Sequence, residues 1–333
     1  MKGILFLSMF FCVLSFASCN KTTPDVAPAS VTSATTASAA STTTATINFQ
    51  IAGYNAATFT TSSLFESLPV THALARNTLY EQSGIASSKL NRGVLYVHED
   101  SGNANQVYLT NATGDDLGYF TLTTVTNRDW EDITIGPGPV AGKNYIYVAE
   151  IGDNDAKYSS VFIYRFLEPD LTGKTFPMAM DIAQVDKIEL IYPGGARNAE
   201  SILIDPQTKD IYIASKESNL ANIYKAAYPQ SNITSTVLES IDQLPMNKAT
   251  SGGISADGTE IVLKNKEQIW YWKRDLSKTI GQTLLETPQL APYVPEYQGE
   301  GICFAADGSG YFTNTEVLKG GPNPPTISYY KRK

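Results

Sequence analysis

The chain has 333 residues, a formal charge of −8 and 11% aromatic side chains, 19 of them tyrosines. The acidic balance lacks the basic face that a nucleic-acid partner requires, so no nucleic acid is expected. His72 and His98 are the only histidines, which excludes a zinc site built from several imidazoles, and once Cys12 and Cys19 near the start are set aside, Cys303 has no partner for an intrachain disulfide.

The first segment reads as an export leader. Lys2 supplies the positive charge, Ile4–Leu14 is an apolar run short of the ~20 residues a spanning helix needs, and Phe16-Ala17-Ser18 places small residues before Cys19. This end resembles the lipobox of bacterial lipoproteins, with Phe16 in place of the usual leucine; the bulky Phe11 makes Cys12 a poor alternative. The resemblance implies cleavage after residue 18, a diacylglyceryl thioether on Cys19 and an N-acyl chain such as palmitate. Two or more chains hold a protein stably at a membrane. Asn20 is not the aspartate that often retains such proteins at the inner membrane, which favours the outer membrane of the cell envelope, on either face. The competing reading is an ordinary signal peptide with an incidental cysteine. Residues 20–46 are Ser, Thr, Ala and Pro with almost no large apolar side chain. They cannot bury enough surface to offset their ordering entropy and read as a tether with a root-mean-square span of roughly 30 Å. The expected organisation is a signal peptide at 1–18, a lipidated cysteine and tether at 19–46, and one monomeric domain at 47–333.

Within that domain, short apolar runs punctuated by Gly and Pro, and no long amphipathic helix, point to an all-β fold. A short acidic or small-residue signature enters a strand five times: Glu81-Gln82-Ser83-Gly84-Ile85, Trp130-Glu131-Asp132-Ile133, Ala199-Glu200-Ser201-Ile202, Ser251-Gly252-Gly253-Ile254 and Gly299-Glu300-Gly301-Ile302. Its isoleucines lie 48, 69, 52 and 48 residues apart. Each signature is followed by a second apolar run, such as Tyr145–Val148 or Ile211–Ala214, and by a third, such as Val161–Tyr164 or Ile269–Trp272. Asp205-Pro206, Ala256-Asp257-Gly258 and Ala306-Asp307-Gly308 fall at the first-to-second turn, where Asp-Gly favours a hairpin. Four antiparallel strands per unit at periods near 50 residues predict a β-propeller of five blades. The fifth lacks an outer strand, which the stretch near Leu64 to Val70 supplies to close the ring. A sixth blade from residues 47–76 is the alternative, and Glu168 to Asp186 reads as a loop insertion. A β-sandwich with coincidental spacing is the competing fold.

The run Asp129-Trp130-Glu131-Asp132-Ile133, then Ile146 to Asn154 with Gly152-Asp153-Asn154, then Glu168-Pro169 and Ala196-Arg197-Asn198-Ala199-Glu200, resembles a family of exported bacterial propeller proteins of mostly unassigned function. It is distantly similar to calcium-dependent phytase-like and lactonase-like propellers. The likeness spans roughly residues 78–318; Gly253, where an acid is expected, departs from it.

The first strand of a propeller blade lines the channel, so the repeat predicts Glu81, Glu131, Glu200 and Glu300 around one mouth. A second set, Asp100, Glu150 with Asp153 and Asn154, Glu217 and Glu316, ends the second strands. Crowded carboxylates either hold protons or are neutralised by cations. Oxygen-only donors favour calcium, then magnesium, with Glu131, Glu200, Glu300 and Asp153 as candidate ligands. Alternatively each Glu accepts backbone N–H groups of the next blade, or pairs with Arg128, Arg197 or Lys216. His98, in Val97-His98-Glu99-Asp100, is a packing residue or a general base, and Cys303, in an apolar run, is a buried thiol. No nucleophile elbow, phosphate loop or dinucleotide fingerprint is present.

Three functions fit. A tethered propeller rich in Tyr and Trp binds a glycan, peptide or protein over the channel mouth, with Glu81, Arg128, Arg197 and Lys216 as contacts. A calcium-dependent hydrolase of phosphoesters or lactones uses Glu131, Glu200 and Glu300 as ligands or general base, with Arg197 or Lys216 holding the anion. A structural envelope component does neither. A chain beginning at residue 47 is expected to be soluble and to melt cooperatively; calorimetry showing no transition would move the domain boundary.

Overall fold

The computed structural model describes residues 47–333; the leader, Cys19 and the tether lie outside the described residues. Five mainly antiparallel sheets succeed one another along the chain, and the innermost strands touch in cyclic order, so the described chain is a five-bladed β-propeller. The first blade comprises Gln82–Ser87, Val94–Glu99, Gln106–Asn111 and Gly118–Leu122; the second Trp130–Pro137, Asn144–Glu150, Val161–Leu167 and Asp186–Ile191. The third comprises Ala199–Ile204, Ile211–Ser215, Ala221–Ala226 and Glu239–Leu244; the fourth Ser251–Ile254, Glu260–Lys264, Ile269–Lys273 and Gln289–Ala291. The fifth has Gln298–Phe304, Gly310–Glu316 and Thr326–Lys331. The signatures open the first strands and the Asp-containing turns join first to second, as the repeat predicts.

The ring closes through the N-terminal segment. Val70–Ala73 pairs antiparallel with Thr326–Lys331 as the fourth strand of the fifth blade. The closing strand thus begins where the expected one ends; Phe65 makes only an isolated bridge to Arg332. Among the described residues there is no sixth blade. Residues 47–76 instead run along the outer edges of three blades: Gln50–Ile51 beside Glu239–Leu244, Thr61 beside Leu290, then the closing strand. The expected loop insertion also contains a strand, Met178–Ile182, parallel to the outer strand Gly118–Leu122 of the first blade. These additions cover edges that would otherwise expose unpaired backbone groups.

Each interface between blades has its own hydrophobic cluster, five in all. Packing on both faces explains why inner strands read as continuous apolar runs; Val94–Glu99 and Ala199–Ile204 are buried throughout. The outer Gly118–Leu122 alternates between buried and half-buried residues. Cys303 packs between the fifth and first blades, and burial pushes its thiol pKa up.

At the centre, polar groups fasten the blades. Asp132 is fully buried; its Oδ1 accepts from the Ile133 N–H at 2.9 Å and Ser251 Oγ at 3.0 Å, and its Oδ2 from the N–H groups of Ile202 at 3.0 Å and Gly252 at 3.4 Å. One carboxyl thereby joins the second, third and fourth blades. Ser251 Oγ accepts from the Ile302 N–H, and Thr250 Oγ1 donates to Glu300 O, tying in the fifth blade. Asn314 Nδ2 donates to Gly84 O, and Ser83 Oγ donates to Glu131 O, completing the circuit through the first. Asp132→Ala leaves buried N–H groups without acceptors and is expected to cost about 3 kcal/mol or more in denaturant unfolding, while Val140→Ala at an exposed loop position costs little.

Candidate functional site

The signatures carry β-bulges. The register slips between Trp130 and Asp132, between Ala199 and Ser201, between Gly299 and Ile302, and between Gln82 and Ile85; the fourth blade, whose signature lacks an acid, pairs without a slip. In the second and third blades the unpaired residue is the glutamate itself, Glu131 and Glu200; in the fifth, Glu300 lies within the slip. A bulge re-aims a side chain out of the pleat. The three carboxylates consequently converge on one mouth of the channel, with Glu131, Glu200 and Glu300 only 5%, 4% and 7% exposed. Glu81 precedes its bulge, is exposed, and accepts from Asn103 Nδ2 at the outer rim.

The second set divides. Asp100 joins Asp129 and Glu131, and one oxygen from each of the three lies within 4.8 Å of the others. The Glu131 carboxylate has no hydrogen-bond or ion-pair partner among the described residues, although the residue is nearly buried. Gly152 backs this cluster; a Cβ there would stand 2.2 Å from Glu131 Oε1 and 2.5 Å from Asp129 Cγ, so no other residue leaves the carboxylates where they are. Asp153, by contrast, accepts the N–H groups of Lys157 at 2.9 Å and Tyr158 at 2.7 Å. Its carboxylate shapes its own turn, as Asp commonly does. Glu150 pairs with Arg128 at 3.4 Å and accepts from the Tyr164 hydroxyl at 2.9 Å, and Arg128 stacks on Tyr158 at 3.8 Å.

Lysines answer the remaining acids. Lys216 contacts Glu200, and Lys266 pairs with Glu300 at 2.7 Å. Arg197 pairs with Glu217 at 3.1 Å. Buried Lys264 donates to the carbonyl of Gly299 and so holds the fifth bulge in place; burial lowers its pKa to about 8. His98 is buried, accepts from the Gly84 N–H at 3.3 Å, and is brought down to about 4 by burial, so it packs the channel wall as a neutral ring.

Next to the acids, over the second, third and fourth blades, a cavity of about 680 Å³ opens to solvent. Arg197, Lys216, Lys248 and Lys266 line it, with Asn154 and Asn198 between them. Asp153, Glu217 and Glu267 line the same cavity, so cations and carboxylates share it, while the cluster of Asp100, Asp129 and Glu131 lies over the first and second blades. Asp129, Lys248 and Lys266 were not among the residues expected from the sequence. Lys266 carried a signal, since it follows the second strand of its blade much as Lys216 does; Asp129 lies two residues before Glu131, outside the repeating signature.

Burial is the first cause of the titration behaviour here. It drives Glu131 well above the ordinary carboxylate range, with the charges of Glu200, Asp100 and Asp129 adding to it. Burial raises Asp100 to about 6 and Glu316, with the help of Glu300, to about 7, and it also raises Asp129. Burial also raises Glu200, although Lys216 opposes the shift.

No family model and no curated protein matches the chain. Among solved structures it is similar to a luciferin-regenerating enzyme, at 9% identity and a TM-score of 0.42, over 79% of this chain and 95% of that one. The likeness concerns the fold alone.

Above the ordinary carboxylate range the unfolded chain binds fewer protons than a folded chain whose acids have raised pKa values, so stability falls as pH rises. In chelator, the melting temperature is expected to drop from about pH 5 to about pH 8, and Glu131→Gln is expected to flatten that drop and raise melting at the upper end. Parallel profiles for the two proteins would show that Glu131 ionises freely in the fold.

Proposed function

We propose that the domain binds an acidic small ligand, or an acidic group of a glycan, peptide or protein, at this mouth, together with a hard divalent cation. Asp100, Asp129 and Glu131 would hold the cation. The observation that carries the reading is the Glu131 carboxylate, which among the described residues has no donor or ion-pair partner and faces two further carboxylates around a glycine that leaves them room. Three like charges at such distances need either protons or a counter-ion. Oxygen donors without imidazole or thiolate suit calcium before magnesium. Glu200 and Glu300 already have ammonium partners and are less available as ligands. In the adjoining cavity Arg197, Lys216 and Lys266 are paired with acids, and Lys248, which forms no ion pair among the described residues, is the cation left to receive an anion.

The proposed setting is the cell envelope, with the domain held at the outer membrane through lipid on Cys19. One observation favours a second reading, hydrolysis of a phosphoester or lactone: Glu200 is nearly buried beside the cavity, and burial raises its pKa, the direction a general acid requires. A bound cation would supply polarisation of the substrate. Arg197 and Lys248 would orient the anion.

Calcium is expected to raise the melting temperature of the metal-free protein and chelator to reverse it, with the effect lost in Glu131→Gln and kept in Glu217→Gln. A calcium shift that survives Glu131→Gln would place the ion elsewhere and end this reading. For hydrolysis, a panel of phosphoesters and lactones on which Glu200→Gln matches the unmodified protein would remove Glu200 from the chemistry.

A further inference from the structure

On the face opposite the acidic mouth, where the first strands end, a second cavity of about 460 Å³ opens between the fifth and first blades. Leu95 and Phe312, 1% and 7% exposed, give it an apolar lining together with Ala305. Lys89 and Arg92 stand on its rim, and among the described residues neither forms an ion pair.

The acids nearby are already engaged. Asp307 accepts from the Ser309 N–H at 3.0 Å and closes its own turn. Glu168 Oε1 accepts from Ser88 Oγ at 2.6 Å and the Leu90 N–H at 3.4 Å, which fixes the loop that carries Lys89. Lys89 is half-buried, and burial lowers its pKa, partly offset by the Glu168 charge. A partly desolvated ammonium gains more from an incoming anion than one in open water. The same lysine lines the narrow far end of the channel beside Cys303 and Phe304, so it belongs to the wall of the domain.

We infer that this cavity is a binding site for an amphiphilic organic anion: an alkyl or aryl carboxylate or sulfonate whose charged group meets Lys89 and Arg92 and whose apolar body covers Leu95 and Phe312. The size is that of a small-molecule site. Two cations over an apolar lining, with Asp307 at the rim, suit a single negative charge and disfavour a polyanion. The site shares no lining residue with the opposite mouth and does not depend on the function proposed for it.

The test is a fluorescence titration of the unlipidated full chain with 8-anilinonaphthalene-1-sulfonate. Saturable emission is expected, displaced by octanoate and not by inorganic phosphate. Arg92→Glu, at an exposed position, is expected to weaken binding about tenfold or more, and Lys89→Gln to weaken it comparably. Lys143→Gln, on an exposed loop elsewhere, is the control that keeps full affinity. Non-saturable emission, unchanged affinity in Arg92→Glu, or displacement by phosphate as readily as by octanoate would each overturn the assignment.

Discussion

The Asp132 carboxyl is the contact on which the ring depends. A propeller has no single core; it has five, and each holds only two neighbouring blades together. Apolar packing is non-directional, so it does not by itself fix how far each inner strand slides along the channel. Asp132 does, because it receives N–H groups from two other blades and a hydroxyl from one of them. Desolvation raises its pKa, and the hydrogen bonds from Ile202, Ile133, Ser251 and Gly252 offset that rise in part. The fourth blade's signature has no acid, and Ser251 relays the fastening to Ile302.

The same short signature does two jobs because of the bulge. Trp130 and Asp132 point into the structure, the indole donating to Thr126 O and the carboxyl accepting from N–H groups and a hydroxyl at the channel centre. The residue between them is left unpaired and swings to the mouth. Fastening and site-building are thus adjacent in sequence and opposite in direction. Gly152 belongs to this logic, since the turn after the second strand passes so close to Glu131 and Asp129 that a side chain would displace them. The lysines that follow the second strands of the third and fourth blades pair with Glu200 and Glu300, which leaves Glu131, of these three acids, without an ion pair among the described residues.

Much of this was legible in the chain because it repeats. The isoleucines at 85, 133, 202, 254 and 302, and the Asp-containing turns after them, gave blade number and strand order. Glu131, Glu200 and Glu300 could be placed at one mouth because all three fall two residues before those isoleucines, and position in a repeat unit translates into position in the ring. Glu81 falls four residues before its isoleucine, and that difference in phase puts it on the rim. Met178–Ile182 and Gln50–Ile51 were not legible as strands. Each pairs with an edge far away in sequence, and neither has a repeating pattern that could announce it.

By itself the sequence determined the all-β class, the five-fold repeat and the acids of the channel mouth, because strand periodicity and turn chemistry act over a few residues. Which acids share a space was decided only by the tertiary structure. Asp100 and Asp129 meet Glu131 because two blades bring their loops together, while Asp153 turns inward to hold its own backbone. Charge compensation is likewise a property of distance in space: Lys216 and Lys266 reach Glu200 and Glu300 across strands, and nothing short-range in the chain records that Glu131 is left without a partner.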